Sequence, residues 1–469
     1  MPHETFVGTH LFPFSFLDEG VSGTLEHIKN WTASNAILLV AANRGEDIYP
    51  HGRRWDQEHR TITGKHEIVG GYYSTPHPEL YAGTAIKPIK SPEEGVSGFD
   101  ALKETIQAAK PLGLKIYAML FEALYGNRPE GLYENTATGL AVDVLGRPAM
   151  QGCYNNPNYR NFMLAMVEDH VRHYDSAGIY IEFEGWGMQS PFYFLSMPGG
   201  KLPICFCDHC MAAARTLGWD GERARRGFLQ LIESDYPSIS EGGDGNVIEA
   251  LRTILEFPEV IAWESMWMKT RRKMLLEIYG TAKSIRPDKE VGWNVNSPVQ
   301  SMPFARAAFD YRRSHEFGDW IKPNIHNAFA AGMFDKVSGR ISEGLLPDMD
   351  RGDVTRLLLS IFGYSPPEKA DQMAIDRFRT QTRFGSQFVA RETARVVRAV
   401  CGRIPVYSGL DVEAPDGKDK TRPGGMETSV NAALDAGANG IILGQFYHDW
   451  PRDSLEAVGR AVRARANTL

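Results

Sequence analysis

Residues 178–187 read GIYIEFEGWG. A period of two puts Tyr180, Glu182 and Glu184 on one face and Ile179, Ile181 and Phe183 on the other. Gly178–Phe183 reads as a buried strand. A helical pattern at 158–174 precedes it, and before that come a long loop, a strand at Leu114–Phe121 and a helix at 99–111. Further upstream lie a strand at Phe6–Phe12, a helix at 22–34 opened by a Ser cap, and the apolar strand AILLVAA at 36–42. The polar stretch 43–98, rich in Gly, Pro, His and Tyr, reads as an ordered loop. Downstream, a helix at about 258–285 leads into a strand at 291–296, and a helical stretch at 302–315 into a strand at Trp320–Ile325. A helix-rich span ends near Val400. It is followed by a strand at Ile404–Leu410, a helix at 427–436, a strand at Gly440–Phe446 and a helix at Leu455–Ala466.

Eight strands, each followed by helix and with no antiparallel hairpin signal, imply a parallel sheet. The repeat number predicts a closed α/β fold, a (β/α)8 TIM barrel with long βα loops. An open doubly wound sheet is the alternative. It lacks the Gly-rich phosphate fingerprint after its first strand. No linker divides the chain, so residues 1–469 are expected to form one catalytic barrel domain. A cysteine-containing subregion is inserted at about 185–245.

With 43% hydrophobic and 23% charged residues, the chain is expected to be globular. Its net charge of −7 and lack of a basic block argue against nucleic acid or an anionic membrane as partner. No apolar stretch approaches the roughly 18 residues that would cross a bilayer. The N-terminus lacks a basic segment followed by an apolar run, so no signal peptide is expected and the default address is cytoplasmic. Five cysteines in 469 residues do not make a disulfide scaffold.

Three of those cysteines sit in PICFCDHC, as Cys205, Cys207 and Cys210. Thiolates at this C-x-C-x-x-C spacing can cap one metal from a tight loop, and tetrahedral Zn²⁺ needs a fourth ligand. Cys153, in QGCYNNPNYR, is the natural candidate, ahead of His209. A filled four-cysteine site has no open position, so its expected role is structural. The alternative is a group of buried free thiols. Cys401 reads as a core thiol at a helix end.

Barrel chemistry sits at the C-terminal ends of the strands. Glu182 and Glu184 end strand four; Asp411 and Glu413, in GLDVEAP, share a face at the end of strand seven. Carboxylates facing a barrel interior are costly without partners or a task, and a pair across the mouth can flank a glycosidic bond. Singly, each could be a solvated or Arg-paired acid. His10, Asn43, Arg44, Glu122, Asn294, Asn296, His326, Gln445, Tyr447 and His448 add a ring of polar strand ends that suits a polyhydroxylated ligand. Trp186 and Trp450 are expected to stack on a sugar ring, Trp450 as part of a platform at the mouth, with core packing the alternative; Trp293 could as well pack in the core.

Cys153 followed by Asn156-Pro157, Tyr159 and Arg160 resembles the C-P-N-S-P-x-Y-R segment of the family-42 β-galactosidases. In that family the Cys joins a later C-x-C-x-x-C cluster around zinc, with the acid of strand four between them. The order here is the same. The resemblance is at the level of motifs and covers mainly residues 150–215. It implies a retaining barrel glycosidase, a structural zinc and a homo-oligomer, a trimer by resemblance. In the family an Asn precedes the acid/base Glu; here Phe183 stands in that place. Either Asp411 or Glu413 could match the nucleophile.

The expected function is a glycoside hydrolase acting on a small carbohydrate or glycoside. Glu184 would be general acid/base, Asp411 or Glu413 nucleophile or base, and Glu182 a substrate-positioning or tuning group. No organic cofactor is expected. The alternatives are a metal-dependent sugar or sugar-acid isomerase or lyase, with Glu122, Glu182, His326 and Glu413 as ligands, and a non-catalytic carbohydrate-binding barrel.

Overall fold

The structure is a computed structural model. It describes residues 4–43, 46–48, 66–68, 70–93, 95–121, 133–182, 202–233, 242–296, 307, 309–344, 346–362, 385–411 and 423–466. Eight strands form the barrel: β1 (Phe6–Leu11), β2 (Ala36–Asn43), β3 (Lys115–Phe121), β4 (Gly178–Glu182), β5 (Glu290–Asn296), β6 (Trp320–Asn324), β7 (Tyr407–Leu410) and β8 (Gly440–Leu443). Each pairs in parallel with the next, and β8 returns to β1 through Phe6↔Gly440, which closes the sheet. A two-residue strand at Gly71–Tyr72 adds antiparallel to β2.

The helices between the strands are α1 (Ser15–Thr32), α2 (Ala101–Ala109), α3 (Pro157–His173), α4 (Asp208–Thr216), α5 (Gly221–Glu233), α6 (Asn246–Glu256) and α7 (Glu259–Ile285). They continue with α8 (Asn327–Glu343), α9 (Arg351–Ile361), α10 (Ser386–Val400), α11 (Pro423–Asp435) and α12 (Arg452–Ala466). The helix expected from residue 22 begins earlier, at Ser15, but Gly20 at φ 68° interrupts it. Local chemistry sets several starts. Asp100 caps α2 by accepting from Lys103 N, and Asn156 caps α3 with Pro157 in the first turn. In the expected helix 302–315, the described part is a 3-10 turn at Tyr311–Glu316.

Aromatic side chains fill the lower barrel. Phe6 stacks on Tyr407 at 3.9 Å, Tyr180 on Trp320 at 5.5 Å, and Tyr117 meets Trp320 edge-on at 5.4 Å. Gly292 makes room for the indole of Trp320; a Cβ there would lie 2.0 Å from the ring. Glu182 follows Tyr180 and Lys322 follows Trp320 on the same alternation, which places polar groups above this aromatic floor.

The loops carry antiparallel hairpins that the sequence reading did not anticipate. Leu140–Val142 pairs with Pro148–Gly152. Its turn was legible in principle. Asp143 accepts from the backbone N–H groups of Leu145 and Arg147, and Gly146 takes φ 81°. The segment after Leu202 joins this hairpin, with Phe206 N donating to Val142 O at 2.8 Å. Cys401 ends α10 as expected, but it is exposed and left-handed (φ 55°) rather than part of the core.

Candidate active site and metal centre

The metal centre is assembled by that hairpin. Cys153 follows its second strand, and Cys205, Cys207 and Cys210 arrive on the added segment and the first turn of α4. All four are buried, and their sulfurs lie within 4.8 Å of one another. Cys153 Sγ is 3.4 Å from Cys210 Sγ and 3.7 Å from Cys207 Sγ. These contacts are far longer than a disulfide of about 2.05 Å. Tetrahedral Zn–S bonds of about 2.3 Å would set the sulfurs about 3.8 Å apart, so the cluster fits that coordination. Val142 N–H and Asn155 Nδ2 donate to Cys205 and Cys210, the backing thiolate ligands need. Hydrogen bonds from Cys153, Cys205 and Cys210 hold the Cys207 thiol far below the usual range. Bonding to Cys205 pushes Cys153 up, and bonding to Cys153 pushes Cys210 up.

The residues around Cys153 have structural tasks of their own. Asn156 caps α3, and the Tyr159 ring lies where a Cβ on Gly152 would stand. Arg160 binds Glu277 of α7 with two hydrogen bonds, at 2.7 and 2.8 Å. Phe206 stacks on Trp263 of α7 at 4.9 Å.

At the mouth, Glu182 is buried at the end of β4 and accepts from Asn294 Nδ2 on β5. Asp411 is buried just past β7. Asn43 closes β2, also buried, and Asn296 closes β5. His10 lies on β1 with its ring 5.3 Å from Tyr180, and His326 follows β6. Burial, and secondarily Lys322, hold both imidazoles well below their ordinary range; His326 lowers His10 further. Gln445 follows β8, and His448 stacks on Phe446. Arg44, Glu122, Glu184, Trp186 and Glu413 lie outside the described residues.

Two expectations need correction. Trp450 is fully buried and donates its indole N–H to Gly444 O at 2.8 Å, so it packs as a core residue, not an open platform. Tyr447 is buried and donates to Glu19 on α1 at 3.2 Å, which ties it to that helix. Trp293 is a core residue as well, bonded to Phe317 O. Sequence reasoning missed Lys322 and Asn324. Both are buried, and they share the inward face of β6 with Trp320. The signal was a Lys in mid-strand, costly to bury without a reason.

His77, Asp169 and His173 form a second cluster, outside the barrel mouth. Both Nδ1 atoms donate to Asp169 Oδ1, and the rings stack at 3.6 Å. Both imidazoles thus engage one carboxylate oxygen directly. The cluster clamps the segment around His77 to α3.

No protein-family model matches the chain, and no curated protein matches it. Solved structures do share its fold. The glycoside hydrolase domain of PgaB (BpsB) from Bordetella bronchiseptica is 10% identical at TM-score 0.52, with 98% of both chains covered. The polyextremophilic β-galactosidase from Halorubrum lacusprofundi is 14% identical at TM-score 0.55, over 98% of this chain and 58% of that one. A GH42 β-galactosidase from G. stearothermophilus is 12% identical at TM-score 0.50, over 99% of this chain and 57% of that one. The chain thus spans a little over half the length of either β-galactosidase. Closed barrel, strand order and these likenesses together identify the fold as a (β/α)8 barrel of the kind found in glycoside hydrolases, family-42 β-galactosidases among them.

Proposed function

We propose that this barrel is a glycoside hydrolase working with carboxylates across its mouth. The observation that carries the reading is the burial of Glu182 and Asp411 at the C-terminal ends of β4 and β7, where barrel chemistry is done. Buried acids at these two ends are costly without partners or a task. Glu184, two residues beyond Glu182 on the same alternation, is the general acid/base. Asp411 or Glu413 is the nucleophile, and Glu182, oriented by Asn294, positions substrate and tunes Glu184. The substrate is a small carbohydrate or glycoside. Cys153, Cys205, Cys207 and Cys210 hold one structural Zn²⁺ that fixes the hairpin against α3 and α7 and takes no part in the chemistry.

Retention is the outcome we assign, on the motif resemblance. A carboxyl separation of about 5–5.5 Å between Glu184 and its partner supports it, whereas about 6.5–9.5 Å implies inversion. Glu184→Gln keeps shape and removes the proton. It should slow hydrolysis of glycosides with poor leaving groups by about 10²–10⁴-fold and spare aryl glycosides that need no protonation. Near wild-type rates on both would pass the acid role to Glu182.

A further inference from the structure

The inward groups of the barrel are not evenly distributed. Lys322 is fully buried in the middle of β6, and its chain lies over Gly409 of β7, where a Cβ would come 2.7 Å from Lys322 Cε. His326, at the turn out of β6, places its ring over Gly444 past β8; a Cβ there would come 2.1 Å from Nε2. His10 faces the same interior from β1 and is 3% exposed. Two glycines thus stand where a side chain would displace Lys322 and His326.

Two further observations concern what these groups face. Among the described residues, the Nε2 atoms of His10 and His326 are buried without a hydrogen-bond partner. Buried polar atoms are ordinarily satisfied, so such orphans point to a ligand or ordered water. The 17-residue helix α8 also starts at Asn327, immediately after His326, with no side-chain cap. Its positive end, which favours anions, therefore stands at the same edge of the mouth.

We propose that Lys322, His10 and His326, with the N-terminus of α8, form a carboxylate-binding wall, so that the sugar taken by the mouth is an acidic sugar of the uronic type. The proposal rests on the carbohydrate reading above and names its substrate class. An ammonium and two imidazole N–H groups are all donors to a carboxylate. Neutral galactose or glucose offers no charge to match them.

The histidines share the mouth with one base and two acids. Tyr180, Lys322 and Phe446 surround His10; Lys322 and the Gly444 backbone adjoin His326; Glu182 and Asp411 share the mouth. Glu182 stands on β4, across the barrel from β8, and is engaged by Asn294. Asp411 lies just past β7, the strand between β6 and β8. In the empty site burial and Lys322 keep both histidines neutral at pH 7. A bound carboxylate reverses the field at both rings, so binding takes up protons and strengthens as pH falls.

The test is calorimetry of the full chain with sodium glucuronate and galacturonate against glucose and galactose, in two buffers of different ionisation enthalpy. At about pH 6, one uronate should bind at least about tenfold tighter than its neutral counterpart, with net proton uptake. Lys322→Met should erase that preference, and Asp411→Asn should strengthen uronate binding. If Lys322→Met does not fold by circular dichroism, His326→Gln carries the same comparison. Neutral sugars binding as tightly, uronate binding without proton uptake, or no uronate binding would each overturn the proposal. Hydrolysis of neutral glycosides without uronate binding would refute this inference alone. Uronate binding without hydrolysis of any glycoside would refute the hydrolase reading alone.

Discussion

Replacing Cys207 with Ser should release the metal and loosen the hairpin while leaving the barrel closed. The four sulfurs converge from two separate segments, 153 and 205–210, within 4.8 Å, and on the zinc reading one ion would tie the two together. An ion bound only by the folded state stabilises by RT ln(1 + [L]/Kd), about 4 kcal/mol when free zinc stands about 1,000-fold above Kd. At about 2 °C per kcal/mol, the low end suited to a long chain, the melting point should fall by about 8 °C. Zinc released from the purified protein, counted with a colorimetric chelator, should equal about one per chain in the wild type and near zero in Cys207→Ser. Chelator treatment should lower the wild-type melting point toward that of the variant. A wild type holding less than about half an equivalent, with a melting point indifferent to chelator, would refute the reasoning.

Trp450→Ala removes a fully buried indole and its bond to Gly444, and should cost about 3–5 kcal/mol in urea unfolding. A loss below about 1 kcal/mol would return Trp450 to the mouth. Asn294→Leu removes one donor from Glu182, so the acid limb of the turnover profile should move to higher pH; an unmoved limb would remove Glu182 from the chemistry. His10 and His326 carry depressed folded-state values, so the unfolded chain binds their protons first as pH falls below about 6.5. Their contribution is present above that pH and is lost below it, at up to about 1.4 kcal/mol per pH unit for each ring. His10→Gln should flatten the fall in urea midpoint between about pH 7 and pH 5. An equally steep fall in the variant would contradict the burial argument.

The barrel was legible because its strands are short apolar runs between helices. The strands expected at 36–42 and 178–183 match β2 and the described β4 almost to the residue. The hairpin at 140–152 was not, because its strands are short and polar at their margins, and only the Asp143-to-Gly146 turn marks it. The cysteines were legible through spacing, which survives any error in secondary structure. The aromatic readings at Tyr447 and Trp450 failed for a different reason. Position after a strand end does not say whether a ring turns to the mouth or to the helix shell, and both rings found polar partners there. Lys322 was overlooked because WIKPN shows its period of two only once Trp320 is known to face inward.

Glycoside cleavage itself decides the central claim. A panel of 4-nitrophenyl glycosides, neutral and uronic, needs no help from the general acid at the leaving group and so isolates the strand-seven nucleophile. The wild type should release nitrophenol from at least one member. The double variant Asp411→Asn with Glu413→Gln, shown folded by circular dichroism, should release none above background. Release from no glycoside by the wild type, or undiminished release by the double variant, would contradict the two-carboxylate account.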